Sequence, residues 1–352
     1  MTNNYIVKLK SRLAGMLSYF MLMSLAVMLF SPTSDVVAQT ASLYSFSTTT
    51  GSSLDPMTGA TTLLTTGNDD TPTASASSIG FNFVFEGTTY TTFWTSPDGW
   101  IQLGGASSVD QFSNVITSTT NIPKIFPYWD DVATGTTGYA KSVVTGLPGS
   151  QILKIEWFVT IPRATGGAAN STFQLWLYEG TNSIEFRYGT MGSASMSASV
   201  GIRGAQTVSP FAFQSVTVST NLASNSVENN GVADQPASGR QYTFNPPAPC
   251  VTPSNQPTAF TATGVSPSAV TGSFTAAPGS DTYLVVRGAS GFTPTAPSDG
   301  VNYAPGAALG TGTVVGLISA TSFTASGLTL STTYDFYIYS ANSICSGGPL
   351  YL

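Results

Sequence analysis

Stretches that alternate apolar and polar residues with a period of two, each closed by a glycine-containing turn, recur along this chain and restrict it to β-structure. In QILKIEWFVTIP (151–162), Leu153, Ile155, Trp157 and Val159 fall on one face and Lys154 and Glu156 on the other. In STFQLWLYEGTNSIEFRYG (171–189), Phe173, Leu175 and Leu177 share a face, Ile184, Phe186 and Tyr188 pair with them, and EGTN is the bend. In IGFNFVFEGTTYTTFWTSPDGWIQLGG (79–105), Phe81, Phe83 and Phe85 alternate with Asn82 and Val84, and Ser96–Gly99 has Pro and Gly where a type I turn with a following bulge wants them. A two-residue period marks strands half buried in a sheet. Many short strands joined by such turns predict a sandwich. Only 8% of the 352 residues are charged, against about 25% in an average soluble domain. Thr, Ser, Gly and Asn supply the polarity instead, and they favour strands and turns over helices. Residues 47–78 are less periodic and read as a long loop or a loosely held edge.

The N-terminus reads as a targeting segment. Lys8, Lys10 and Arg12 precede an apolar run, LAGMLSYFMLMSLAVMLF (13–30), and Val36 and Ala38 stand at −3 and −1 of a cleavage-like site. This pattern fits a secretory signal peptide over residues 1–38; the competing reading is an uncleaved membrane anchor. Apart from this export signal, nothing in the sequence calls for a membrane. The formal charge of −6 argues against a nucleic-acid partner, which wants a basic patch. No phosphate-binding Gly-Lys-Ser/Thr motif occurs, so no nucleotide is expected.

One boundary is marked. NPPAPCVTPSNQP (245–257) holds five prolines, and a residue with fixed φ and no N–H makes an extended, stiff connector. The expected organisation is a β-sandwich module over 41–245, a Pro-rich linker over 246–257 and a second domain over 258–352.

Two resemblances refine this. Gly327-Leu328, Thr332, Tyr334, Phe336, Ile338 and Asn342 resemble the corner and following strand of a fibronectin type III module, and the similarity extends over about 253–352. It implies an immunoglobulin-like sandwich in which the Tyr334 ring packs inward and its OH returns to the backbone of the preceding corner. Tyr334, Phe336, Ile338 and Ser340 then face the core, and Asp335, Tyr337, Tyr339 and Ala341 the other side. Tyr337 and Tyr339 are either scaffold or a contact patch. Phe274 stands where that family usually has a core tryptophan, and 288–326 is unusually long for the type. The same layout brings Cys250, ahead of the first strand, to the end where Cys345 lies, which implies a disulfide; the alternative is two unrelated thiols. The short tail after Cys345 leaves little for a last strand, and a bare edge there would invite pairing with another chain. The segments of 79–105, FPYWDDV, LKIEWFV, FQLWLYEGTNSIEFRYG and ASVGIRG are similar, in order, to a module of secreted bacterial surface proteins, itself loosely nidogen-like, over about 44–244. That resemblance implies secretion and an adhesion or scaffolding role.

Chemistry is poorly provided for. The chain has no histidine, which removes Ser-His-Asp and Cys-His systems and histidine metal sites. Paired carboxylates remain, and Asp130, Asp131, Glu156 and Glu185 are the candidates a glycosidase would need. Adjacent aspartates in an extended segment point apart, and charge pairs with Lys154 and Arg187 explain the two glutamates. Asp130 and Asp131, with Asn68, Asp69 and Asp70, offer oxygens to calcium or cap turns. The NST sequence at Asn170 fits a glycosylation acceptor and is common by chance. Trp176 and Tyr178 share the outer face of one strand with Gln174, where they either stack on a sugar or are covered by a loop or second sheet. The expectation is an exported, non-catalytic, all-β protein of two sandwiches, without a cofactor, that binds an extracellular protein or glycan. The alternative is a carbohydrate-binding accessory part of a secreted polysaccharide-degrading enzyme.

Overall fold

The structure is a computed structural model that describes residues 40–352 except 194, 195, 267 and 346; the expected signal peptide over residues 1–38 lies outside the described residues. Among these described residues no α-helix occurs, and none of their helices is long and apolar enough to cross a membrane. The chain divides into two compact units, 40–247 and 248–352.

The first unit begins with a 3-10 turn, Ala41–Leu43. Its strands are β1 (Ser45–Thr49), β2 (Thr61–Leu64), β3 (Ser77–Phe85), β4 (Thr88–Ser96), β5 (Trp100–Leu103), β6 (Lys124–Trp129) and β7 (Tyr139–Thr145). They continue with β8 (Ile152–Val159), β9 (Ser171–Tyr178), β10 (Ile184–Tyr188), β11 (Ser199–Arg203), β12 (Phe213–Thr217), β13 (Leu222–Ser224) and β14 (Gln241–Asn245). Two antiparallel seven-stranded sheets result, ordered β1-β14-β10-β9-β8-β7-β2 and β13-β12-β11-β6-β5-β4-β3. Residues 47–78, aperiodic in sequence, hold the end of β1 and all of β2, the two edge strands of the first sheet, and the first residues of β3, an edge of the second.

The alternation sets the core. Leu153, Ile155, Trp157, Leu175, Phe186 and Tyr242 from one sheet meet Phe83, Phe93, Ile101, Ile125, Val200 and Ile202 from the other, all buried. Trp157 stacks on Phe173, ring centroids 5.5 Å apart, and its indole N–H donates to Ser96 O at 2.8 Å, so even this polar atom is satisfied. Gly99 closes the β4–β5 hairpin at φ +75, where a Cβ would lie 1.9 Å from Tyr128 O; only glycine fits. A second cluster, Trp100, Ile116, Phe126, Trp129 and Phe213, lies on the outer side of the β6 sheet. The β5–β6 loop carries Gln111 to it, whose carbonyl accepts both tryptophan N–H groups.

The second unit holds β15 (Thr258–Ser266), β16 (Ala269–Thr275), β17 (Thr282–Ala289), β18 (Ala308–Leu309), β19 (Gly312–Ile318), β20 (Ser322–Ser326), β21 (Tyr334–Asn342) and β22 (Leu350–Tyr351). A three-stranded sheet, β15-β16-β20, faces a five-stranded one, β18-β19-β17-β21-β22. Phe274, Tyr283, Val285, Phe323 and Phe336 fill the space between, with Phe260, Tyr334 and Ile338 packed against them. Tyr334 accepts the Thr329 N–H at 3.0 Å through its hydroxyl, which fastens the corner before β21. The long 288–326 segment builds β18 to β20 and places Phe292 and Tyr303 over the outer face of the five-stranded sheet, against Leu284, Val286 and Tyr339. Tyr337 meets Phe292 edge-on at 5.1 Å and donates to its carbonyl. Both open tyrosines are therefore scaffold. Cys250 and Cys345 form a disulfide. With the Asn342 side chain donating to Val251 O (2.7 Å) and Gln256 Oε1 accepting Ser340 N–H (2.8 Å), it ties the proline-rich stretch from Cys250 onward to the second sandwich rather than leaving it a free connector.

Candidate functional site

Two places in the first sandwich gather polar chemistry. The first is the outer face of the sheet containing β8, β9 and β10. Period-two alternation sends Lys154 and Glu156, Gln174, Trp176 and Tyr178, and Glu185 and Arg187 to that face, and the register sets Lys154 opposite Trp176 and Glu156 opposite Gln174. A polar outer face usually meets water, but here residues 52–57 run across it as a strap. Ser52 donates to Gln241 Oε1 (2.6 Å) and Ser53 O accepts from Arg187 (3.1 Å). Asp55 and Gln174 exchange two bonds, Asp55 N–H to Gln174 Oε1 at 2.9 Å and Gln174 Nε2 to Asp55 O at 2.8 Å. Lys154 Nζ reaches the Asp55 carboxylate at 2.5 Å. Burial works against that carboxylate, but the bonds from Lys154 and the Met57 amide outweigh it, so its pKa lies below the ordinary value.

Trp176 is 8% exposed under this strap. Its ring lies between two cations, with Lys154 Nζ at 4.4 Å and Arg187 Cζ at 3.5 Å from the centroid. Tyr178 donates to Glu185 Oε2 at 2.7 Å, and burial, then Glu185, push its pKa up. Of the pair proposed for sugar stacking, Trp176 thus sits in an internal network beside the strap, and Tyr178, partly buried, joins that network through Glu185. The charge pairs differ in detail from the sequence expectation. Glu156 bonds Lys141 across the strands at 3.1 Å, Lys154 turns to Asp55, and Glu185 pairs with Arg187 on its own strand at 2.8 Å.

The second place is built by loops. Asp69 and Asp70 come from the β2–β3 connection and Asp131 from the β6–β7 connection, and one carboxylate oxygen of each lies within 4.8 Å of the others. Arg163, from the β8–β9 connection, reaches Asp131 Oδ1 at 2.7 Å and Asp69 Oδ1 at 2.8 Å. Asp70 Oδ1 is buried with no hydrogen-bond partner. Burial raises the pKa of Asp70, with Asp69 and Asp131 adding to it, and burial raises that of Asp131. A cation entering here would have three carboxylates to bind and would compete with Arg163 for two of them. Asp130 does not join the group: its carboxylate accepts the Ser197 and Asp131 N–H groups, each at 2.8 Å. The two adjacent aspartates do point apart.

Asp98, in the β4–β5 turn, is fully buried. Desolvation pushes its carboxyl up to about 9, the Ser96 hydroxyl opposes this, and Asp70 and Asp131 add to it. At neutral pH Asp98 is a carboxylic acid. Sequence reasoning saw only a turn residue in SPDG, and passed over Asp55 and Arg163 because nothing local marks their partners. The Asn170 amide both accepts from and donates to the Ile161 backbone (2.9 and 2.8 Å), so the NST asparagine is committed to holding a loop.

Fold and site together define an all-β sandwich protein, and the intramolecular disulfide is compatible with an extracellular location. Residues 43–246 match the family described as NIDO related, and the chain belongs to that family. Comparison with curated proteins finds no sequence match.

Proposed function

We propose that this protein is exported and works outside the cell or at its surface as a non-catalytic adhesion or scaffolding protein, binding an extracellular protein or glycan. The observation that carries this reading is the state of the candidate acids. Glu156 accepts from Tyr139, Lys141 and Gln174, and Glu185 from Tyr178, Arg187 and Gln241. Carboxylates so engaged serve to lock a sheet face and its strap, and an acid–base pair needs one of them free to gain and lose a proton. Family membership of residues 43–246 supports the extracellular setting.

The second sandwich is read as a fibronectin type III-like module. Its three-on-five strand order and the Tyr334 hydroxyl on the Thr329 N–H support that reading. The test is a binding and turnover assay on the chain from residue 39 onward, with whole cells, a glycan array and a panel of polysaccharides. Binding without turnover is the expected result. Turnover abolished by Asp130→Asn or Glu156→Gln would overturn it, and saturable glycan binding lost on Trp176→Ala would move the protein to the carbohydrate-binding class.

A further inference from the structure

We propose that the Lys124 amine and the Gln111 side-chain carboxamide join in an intramolecular isopeptide bond, which fastens the β5–β6 loop to β6. The bond would form whatever the protein binds. Lys124 opens β6 and is 1% exposed. Its amine lies over two indoles, 4.5 Å from the Trp100 ring centroid and 3.8 Å from that of Trp129. No carboxylate pairs with it among the described residues. Burial pushes its pKa well below the ordinary lysine value; Asp98 opposes this and Arg203 adds to it. An amine taken out of water among rings sheds its proton readily, and the free lone pair is a nucleophile.

The atom that Nζ touches is Oε1 of Gln111. The carbon of that carboxamide lies one C=O bond, about 1.2 Å, beyond the oxygen. A near-attack arrangement asks for about 3–3.5 Å between reacting atoms, which a contact with the oxygen brings within reach of a small torsion. Gln111 is held at both ends. Its backbone carbonyl accepts the Trp100 and Trp129 indole N–H groups. Its Oε1 also accepts from Asn121 Nδ2 at 3.2 Å, and its Nε2 donates to Ser118 Oγ at 3.0 Å. Asn121 is itself fixed by two bonds with the Val109 backbone, at 3.0 and 2.8 Å.

Each of these contacts has a place in an amide exchange. Nζ attacks Cδ, and the C=O electron pair moves onto Oε1, where the Asn121 N–H stabilises the developing charge. The pair returns as Cδ–Nε2 breaks. The proton lost by Nζ passes to Nε2, which leaves as ammonia past Ser118, a partly exposed residue. One amide replaces another, nothing is oxidised or reduced, and loss of ammonia to solvent draws the exchange forward. The first unit contains no cysteine, so this bond would brace it where a disulfide cannot.

Three lysines follow residue 38: Lys124, Lys141 and Lys154. In the chain from residue 39 onward, folded, then unfolded and treated with an amine reagent, Lys141 and Lys154 should label and Lys124 should not. A trypsin–chymotrypsin digest should leave Lys124 uncut and give one peptide pair joined between Gln111 and Lys124, lighter than its two parts by one ammonia. Fragmentation of that pair separates it from ammonia lost at a terminal glutamine or an asparagine, which joins nothing. Lys124→Met, unbranched and apolar between the two rings, and Gln111→Ala should each abolish the joined pair. Circular dichroism shows whether a variant folds, and the digest of the unaltered chain decides the matter in either case. A folded parent whose Lys124 labels and is cut like the other two lysines would overturn the proposal. So would a bond from Lys124 to another residue, such as Gln102 across the strands, or a joined pair that persists in Gln111→Ala.

Discussion

Replacing Asp98 by asparagine should remove a large pH dependence from the stability of the first sandwich. Asp98 is fully buried in the β4–β5 turn, with Ser96 Oγ 3.1 Å from one carboxyl oxygen and the Val132 N–H 3.4 Å from the other. No cation pairs with it among the described residues. Its folded pKa is about 9, and that of an unfolded aspartate is about 3.9. Between these values the native state holds a proton that the unfolded chain has released. The contribution is thus fully present below the unfolded pKa, declines as pH rises, and is lost by the folded pKa. The slope is about 1.4 kcal/mol per pH unit, so this one group removes roughly 4 kcal/mol between about pH 4 and pH 7. Asparagine is neutral throughout and of nearly the same shape, so it keeps one acceptor for Ser96 or Val132 and loses the titration. Urea unfolding at a series of pH values, on parent and variant, reads the difference directly. Asp70, Asp131 and Glu86 are raised too and are common to both proteins, so subtraction isolates Asp98. The expected result is a variant that overtakes the parent as pH rises toward neutrality. A difference between the two that stays constant from acid to neutral pH would refute the reasoning, because it would mean that Asp98 is ionised in the folded protein.

Serine at both Cys250 and Cys345 should lower the stability of the second sandwich by about 4–5 kcal/mol, the loop entropy of a bridge spanning 95 residues, and calorimetry should show the first sandwich melting unchanged. Tyr334→Phe deletes the hydroxyl that accepts the Thr329 N–H and should cost about 1 kcal/mol in chemical denaturation. Asp55→Asn should loosen the strap, seen as faster amide exchange at Asp55 and Met57. Because the Asp55 pKa is depressed, its contribution is present above the unfolded value, and the stability gap between variant and parent should close as pH falls through the folded one. Trp176→Ala, which empties a covered site between two cations, should cost about 3–5 kcal/mol.

The strands were legible because one face of each is in the core. Leu153, Ile155, Trp157 and Val159 alternate strictly, and all four are buried. Tyr334 was legible because its partner, Thr329, is five residues away. What lies over the outer faces was not legible. Lys154 and Glu156 read as the polar side of their strand, and the face of Gln174 read as either a sugar platform or a face covered by a loop or second sheet; all three are buried, beneath a strap whose place the sequence does not show. Asp55 and Gln174 are 119 residues apart, and SSLDPMTG has no period that would announce where it lands. The acidic loop cluster was half visible. Asp69, Asp70 and Asp131 were named as oxygen donors, but Arg163, which binds two of them, comes from a separate connection with no local signal. Asp98 was hidden for a further reason: a turn aspartate is ordinarily wet, and only the packing of the hairpin on its neighbours takes this one out of water.

The bridge from Cys250 to Cys345 also decides how the second sandwich bears a mechanical load. The two cysteines bracket the strands from β15 to β21, so tension applied at Ala248 and at Tyr351 passes through sulfur before it reaches those ladders. The residues inside the loop, Val251 to Ile344, are shielded from extension, and between those two points only residues outside the bridge can be drawn out. Reduction turns the same unit from an inextensible link into one that unravels under force.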